Sequence, residues 1–341
     1  SAIADVMKEH GSDAWFTQDP TLLLEHYDPH TDPDFPQGFE IKSATKLYDI
    51  FDVWFESGSS WKAVLQERQE QFPADLYLEG SDQHRGWFHL SLLPSLGIHQ
   101  HAPYKTLLTH GFIVDKDGKK MSKSLGNTLD VQELLKTYGA DICRWWVSSL
   151  SYENDIKVDL QFFDVASDGY RKIRNTLRFL LSNLYDYTLH PLEAIPEALP
   201  KICPETSIEH YILGKLNQYE ERILHAYENY AFKDAHTLIY ECCSDLLSSF
   251  YCSISKDALY CDSPSSPNRT RIQFTFHIIL EKLLRLLQPI LPHTSEEAYQ
   301  ALHNNPSILL TLTPPFNIEL PKHIDKWEPL IQARQQVLKL L

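Results

Sequence analysis

The residues best suited to chemistry lie between positions 115 and 127. Asp115-Lys116-Asp117-Gly118-Lys119-Lys120-Met121-Ser122-Lys123-Ser124-Leu125-Gly126-Asn127 sets four lysines against two aspartates in 13 residues, a local charge of +2 in a chain of net charge −15. Lysine ammonium groups are mobile point charges suited to polyphosphate. The small side chains of Ser122 and Ser124 let backbone N–H groups approach a ligand, and Gly126 adds further freedom. Asp117-Gly118 is a tight-turn pair. The chemistry implied is stabilisation of negative charge while a phosphoryl group is attacked. An ordinary solvated hairpin turn would carry the same local charge. A second polar stretch, Glu79-Gly80-Ser81-Asp82-Gln83-His84, follows the short apolar run Ala74 to Leu78.

These two segments need elements to hold them. Ala74 to Leu78 reads as a buried strand, 86–97 as a helix, and Thr106 to Val114 as another strand. Repeated strand–loop–helix units argue for an α/β fold with a parallel sheet, in which ligands gather at the carboxyl ends of the strands. Residues 79–87 and 115–127 are such ends. Upstream, Ala2 to His10 predicts a helix stopped by Gly11, and 47–57 reads as a strand-like run ending in Ser57-Gly58-Ser59-Ser60. From about 129 the strand signals stop. Leu129 to Tyr138 and Asp141 to Leu150 are helix candidates, and Ile173, Leu177, Leu180, Leu181 and Leu184 make one apolar helical face. Arg171, Arg174 and Arg178 lie on a different stripe of that helix. A Pro-rich connector is predicted over 189–206, then long helices at 208–229, 232–255 and 269–288, a break at Pro289 and Pro292, and a further helix from Thr294. The natural account is a helical bundle.

Composition narrows the class. A length of 341 residues suggests two domains, and 43% hydrophobic residues suffice for a core, which excludes global disorder. The net charge of −15 excludes a generally basic nucleic-acid wrapper but not a local basic patch. No apolar run reaches membrane-spanning length. The six cysteines include no C-x-x-C pair, so no structural zinc site of the usual spacing is expected. Cys242 and Cys243 read as buried thiols, and a reducing cytoplasm fits them.

The string KMSKS after a strand resembles the second signature of class I aminoacyl-tRNA synthetases. Asp52-Val53-Trp54-Phe55-Glu56-Ser57-Gly58 is similar to a segment of the isoleucyl-tRNA synthetases. Leu78-Glu79-Gly80-Ser81-Asp82-Gln83-His84-Arg85-Gly86-Trp87-Phe88 resembles the bacterial-type wording of the same enzymes, whereas the valine and leucine relatives differ there. Tyr170-Arg171-Lys172-Ile173-Arg174-Asn175-Thr176-Leu177-Arg178-Phe179-Leu180 resembles the start of their anticodon-binding domain, and Pro289-Ile290-Leu291-Pro292-His293-Thr294-Ser295-Glu296-Glu297 a late bundle motif of the Ile, Val, Leu and Met group.

The resemblance implies a Rossmann-like catalytic portion over 1–128, a connector and stem-contact region over 129–165, and an all-α anticodon-binding bundle over 166–341. It implies ATP-dependent activation of L-isoleucine, with Mg2+ accompanying the ATP, and transfer to tRNA(Ile). Lys120 and Lys123 would be the catalytic lysines, with Met121 and Ser122 beside them at the ATP, Lys123 touching its phosphates and Met121 packing the loop down. Glu79, Gly80, Asp82, Gln83, Trp54 and Trp87 would meet the aminoacyl-adenylate: Glu79 by accepting from the substrate ammonium, the two indoles by lining the isoleucine pocket. Arg171, Arg174 and Arg178 are candidate tRNA contacts, with a solvated bundle face as the alternative. No side-chain nucleophile is needed, because positioning and electrostatics carry this reaction. Isoleucine and valine differ by one methylene, worth only ~1–3 kcal/mol of discrimination, which the family supplements with an editing domain. No editing segment, no His-x-Gly-His (the family's HIGH signature) and no Cys-rich zinc tail occur in the 341 residues. The expectation is an interior fragment, inactive alone, with no metal site of its own, acting in the cytoplasm as part of a monomer. A catalytically dead tRNA-binding scaffold and a valine- or leucine-specific relative are the rival readings.

Overall fold

The computed structural model describes residues 2–33, 35, 38, 40–122, 128–303, 307–310 and 327–340. The chain divides into two compact units. Unit 1 is the chain up to Tyr77 with Asp82–Leu108, and unit 2 is Leu78–Ser81 with Thr109 onward.

In unit 1 the helix α1 (Ala2–His10) stops before Gly11, as its sequence predicts. The strand-like reading of 47–57 is overturned: Leu47 to Asp52 take no regular structure, and α2 (Val53–Gly58) follows. The cause is local. The Asp52 carboxylate accepts from the Trp54 N–H at 2.8 Å, an N-cap that outweighs the β-propensity of Val53, Trp54 and Phe55. A π-helical turn, Trp61–Gln66, follows. Strand β1 (Ala74–Gly80), helix α3 (Trp87–His99) and strand β2 (Tyr104–His110) form one strand–helix–strand crossover. The Ala74 N–H donates to the Pro103 carbonyl at 2.9 Å, so the two strands start side by side and run parallel. The buried strand expected over 74–78 is buried at Tyr77 alone: Leu76 and Leu78 are 37% and 49% exposed. Asp75 and Glu79 are exposed as well, so within β1 only Tyr77 and Gly80 are buried.

The single strand predicted over 106–114 is two: β2 and, in unit 2, β3 (Ile113–Val114). Helices α4 (Val131–Tyr138) and α5 (Ala140–Ser148) follow, then β4 (Ile156–Lys157), which pairs parallel with β3 in the register Ile113 to Ile156 and Val114 to Lys157. The rest is helical: α6 (Leu160–Ser182), α7 (Ile208–Glu228), α8 (Phe232–Glu241), a π-helical run Cys242–Tyr251, α9 (Cys252–Cys261), α10 (Pro267–Leu287), α11 (Pro292–His303) and α12 (Glu328–Leu340). The predicted connector over 189–206 contains a short helix, Ile195–Ile202, because Pro196 sits in its first turn, where its missing N–H costs nothing. The break expected at Pro289 and Pro292 lies between Leu287, where α10 ends, and Pro292, which opens α11 two residues before the predicted Thr294.

Three helix starts of unit 2 are set by side-chain oxygens. The carboxylates of Asp130 and Asp159 and the Ser207 hydroxyl accept from N–H groups in the first turns of α4, α6 and α7. Ile173, Leu177 and Leu180 of α6 are buried as their spacing predicts, each contributing about 1.5–3 kcal/mol of apolar burial. From Ile272 to Leu284, α10 is buried on all sides and forms the axis of the bundle. Its buried charges are paired, Arg269 with Asp186 at 2.7 Å and Lys282 with Glu220. Cys242 and Cys243 are buried free thiols. Among the described residues no helix is long and apolar enough to cross a membrane.

Candidate functional site

Unit 1 brings several of the expected residues together. Gly86 precedes α3, and the Gln83 side-chain oxygen accepts from the Trp87 N–H at 2.9 Å, capping the helix. The Trp87 indole N–H donates to the Ser57 carbonyl at 2.9 Å, tying α3 to the end of α2. Tyr77 of β1 lies flat on Trp87, with centroids 4.2 Å apart and planes 1° from parallel. A Cβ on Gly86 would stand 2.5 Å from the Gln83 oxygen and 3.1 Å from the Trp54 ring, so the absence of a side chain allows the close approach. Trp54, Gln83 and Trp87 are therefore one cluster around Gly86. Its indoles offer rigid apolar surface beside polar groups. Asp82 is exposed in the 3-10 turn Ser81–Arg85. At the end of β1, Glu79 is exposed and Gly80 buried. Tyr77 was missed at the sequence level, where it read as one more strand residue.

In unit 2 the lysine segment leaves β3 through a built turn. The Asp115 carboxylate accepts from the N–H groups of Asp117 at 3.0 Å and Lys119 at 2.8 Å, and the Asp115 N–H donates to the Lys119 carbonyl at 2.9 Å. Gly118 has φ +82°, the left-handed region that the tight turn at Asp117-Gly118 demands. Lys120 bridges back to Val114 as an antiparallel partner, and its ammonium lies 5.5 Å from the Phe112 ring centroid. Met121 packs against the helical core, and Ser122 is half-buried. Lys123, with 124–127, lies outside the described residues.

Arg171, Arg174 and Arg178 are all exposed on α6. Arg171 pairs with Asp168 at 3.0 Å. Arg174 and Arg178 line a groove of about 260 Å³ between α6 and α11, with Leu177, Leu181, Thr294 and Glu297 in its walls. A cavity of about 630 Å³ lies elsewhere in unit 2, between Trp145, Phe162, Lys157, Lys172, His236 and Tyr240, and no site residue expected from sequence lines it. Among the described residues no group of three or more His, Cys, Asp or Glu could hold a metal ion.

Residues 2–159 match the family of class I tRNA synthetases (I, L, M and V), and 209–341 match the anticodon-binding domain of tRNA ligases. The isoleucine–tRNA ligase of Lactococcus lactis is 41% identical over 345 residues, covering 99% of this chain and 36% of the relative. That of Fervidobacterium nodosum is 40% identical over 347 residues, with the same coverage of 99% and 36%. The chain thus spans about 36% of the length of the curated relatives it matches. A solved ternary complex of an Agrobacterium radiobacter K84 LeuRS with tRNA and LeuAMS shares the fold, with TM-score 0.60 and 20% identity over 77% of this chain and 32% of that one. With a catalytic-family segment over 2–159 and an anticodon-binding segment over 209–341, the chain belongs to the class I tRNA synthetases (I, L, M and V), and along 99% of its own length it is similar to isoleucine–tRNA ligases.

Proposed function

We propose that the protein carrying this chain charges tRNA(Ile) with L-isoleucine. The isoleucine carboxylate attacks the α-phosphate of Mg2+-bound ATP and expels pyrophosphate, and a ribose hydroxyl of the tRNA then attacks the adenylate carbonyl, breaking the acyl–phosphate bond and releasing AMP. The observation that carries this reading is the lysine hairpin, built on β3 and packed through Met121 against a helical core in a chain 41% identical to an isoleucine ligase. Lys120 and Lys123 offset charge on the phosphates as pyrophosphate leaves, with Met121 and Ser122 holding the loop beside the nucleotide. Glu79, Gly80, Asp82 and Gln83 bind the aminoacyl-adenylate, and Trp54 and Trp87 shape the isoleucine pocket. Arg174 and Arg178, and Arg171 beside them, contact the tRNA backbone. By function the chain divides into catalytic residues 1–128, a connector 129–165 and an anticodon-binding bundle 166–341. Its six free thiols fit a reducing cytoplasm, and nothing in the chemistry requires more than a monomer.

The test is amino-acid-dependent ATP–pyrophosphate exchange by the full-length enzyme against a panel of amino acids. Isoleucine should be preferred, and Lys123→Ala or Lys120→Ala should lower kcat by about 10²–10³ without a matching change in isoleucine KM. Preference for valine or leucine, or a Lys123→Ala enzyme of unchanged kcat, overturns the reading. The 341 residues alone should give no exchange.

A further inference from the structure

Helix α5 carries two charged residues, three positions apart, that reach the same distant corner. Asp141 is 6% exposed, and its carboxylate accepts from the Thr294 N–H at 2.7 Å and the Thr294 hydroxyl at 2.6 Å. The one proton of that hydroxyl goes to the carboxylate, so Tyr170 of α6 donates its own to Thr294, at 2.9 Å. Arg144 donates from Nε to the Ile290 carbonyl at 2.9 Å and from Nη2 to the Pro289 carbonyl at 2.7 Å. The carboxylate thus sits at the amino end of α11 and the guanidinium just past the carboxyl end of α10, each complementing a helix dipole. Charge-assisted bonds of this kind are the stronger class.

The other sides of α5 are fixed as well. Trp145 stacks on His236 of α8 with centroids 3.7 Å apart, and the Ser148 hydroxyl meets His236 Nδ1 at 3.0 Å. Trp146 packs on Phe163 of α6 at 4.6 Å, and Phe163 stacks on Tyr138 of α4 at 5.4 Å. Met121 and Leu129, the near ends of the lysine segment, pack against the same core cluster. A continuous packed path therefore joins the lysine hairpin to Thr294, which lines the arginine groove.

We propose that Asp141 and Arg144 are positioning residues for the transfer step: they lock the α10–α11 turn, and with it the arginine groove, onto the helix that shares its core with the lysine hairpin. The inference rests on the reading of the chain as part of an isoleucine–tRNA ligase. Adenylate formation needs the hairpin and two small substrates. Transfer also needs a tRNA held on the bundle with its end at the adenylate, and a displacement of about 1 Å can cost about 10² in rate. Neither residue is offered as a tRNA contact, so tRNA affinity should persist when the clasp opens.

The experiment uses the full-length enzyme with Asp141→Asn, Arg144→Gln and Arg144→Lys. In the first two, isoleucine-dependent exchange should stay within about twofold of the parent, the kcat of tRNA charging should fall about tenfold, and the KM for tRNA should move less than about twofold. Arg144→Lys, which keeps the charge and one donor to the turn, should recover part of the loss. Should Asp141→Asn fail to fold, the exposed Arg144 positions carry the test. Exchange and charging falling together, a rise in tRNA KM without loss of kcat, or unchanged charging in an active parent would each overturn the inference alone. A parent that charges no tRNA with isoleucine would overturn the functional reading, and this inference with it.

Discussion

At the scale of single residues, Gly86 is the most exacting position in unit 1. Any side chain there meets the Gln83 oxygen at 2.5 Å and the Trp54 ring at 3.1 Å. Relief means moving Trp54 or breaking the bond from Gln83 to the Trp87 N–H, and overpacking of this sort costs about 1–3 kcal/mol. Gly86→Ala should therefore raise the isoleucine KM of the full-length enzyme by about tenfold while leaving the ATP KM nearly unchanged. Steady-state exchange kinetics would measure both, and equal isoleucine KM values would show that the cluster does not shape the pocket. Met121 illustrates the opposite case. Its neighbours in the sequence are lysines suited to chemistry, but an unbranched thioether fills gaps well, and it packs against the helical core as the sequence reading expects.

At the scale of elements, a half-buried histidine and a buried glutamate make the bundle acid-sensitive in two successive windows. Burial depresses His236 from 6.5 to about 4, against a smaller opposing effect from the Trp145 backbone. The unfolded chain therefore binds a proton that the folded chain refuses between about pH 6.5 and 4, so this contribution is complete above pH 6.5 and is lost as pH falls through that window. Burial would raise Glu281, but the His277 ring 3.7 Å away, the hydrogen bond from His303 and the charges of His303 and Arg285 outweigh it and hold the carboxyl near 2. Its contribution is present above the ordinary 4.5 and is lost between there and about pH 2. His236→Phe keeps an aromatic ring against Trp145 and should flatten the fall in denaturant midpoint between pH 6.5 and 4.5 while leaving the steeper loss below. Parallel profiles for parent and variant would count against it. Which elements the sequence revealed follows from the same locality. The caps Asp130, Asp159 and Ser207 act within three residues, so the helix starts near them were legible. Asp52 also caps locally, but the β-branched and aromatic residues after it disguised α2 as a strand. The lysine turn was legible because Asp117-Gly118 encodes it. The Asp141–Thr294 contact spans 153 positions, and no periodicity announces such a pairing.

At the scale of the whole molecule, the two units differ in how much core each owns. Among the described residues, the buried apolar residues of unit 1 are few (Ala14, Leu23, Trp61, Tyr77 and Phe88), and its segment from Leu47 to Phe55 exposes Leu47, Tyr48, Ile50, Phe51, Val53, Trp54 and Phe55. In unit 2 one continuous cluster runs from Trp145 to Ile308 through α6, α7, α8, α10 and α11. Opening free energy follows buried apolar contact, so the chain should not open as one cooperative body. Studied alone by native-state hydrogen exchange, the 341 residues should show amides of α2, β1 and β2 exchanging about tenfold or more faster than those of α10 between Ile272 and Leu284, whose side chains are buried on every side. Denaturant below the global midpoint should leave the α10 amides protected while those of β1 and β2 exchange freely, since a two-stranded sheet with only Tyr77 and Gly80 buried has little to hold it. If β1 and β2 instead exchange in step with α10 across the denaturant series, the chain opens as a single body. The thin core of unit 1 would then be no measure of its stability, and the case for treating the lysine hairpin and the helical bundle as one mechanical piece apart from unit 1 would fall with it.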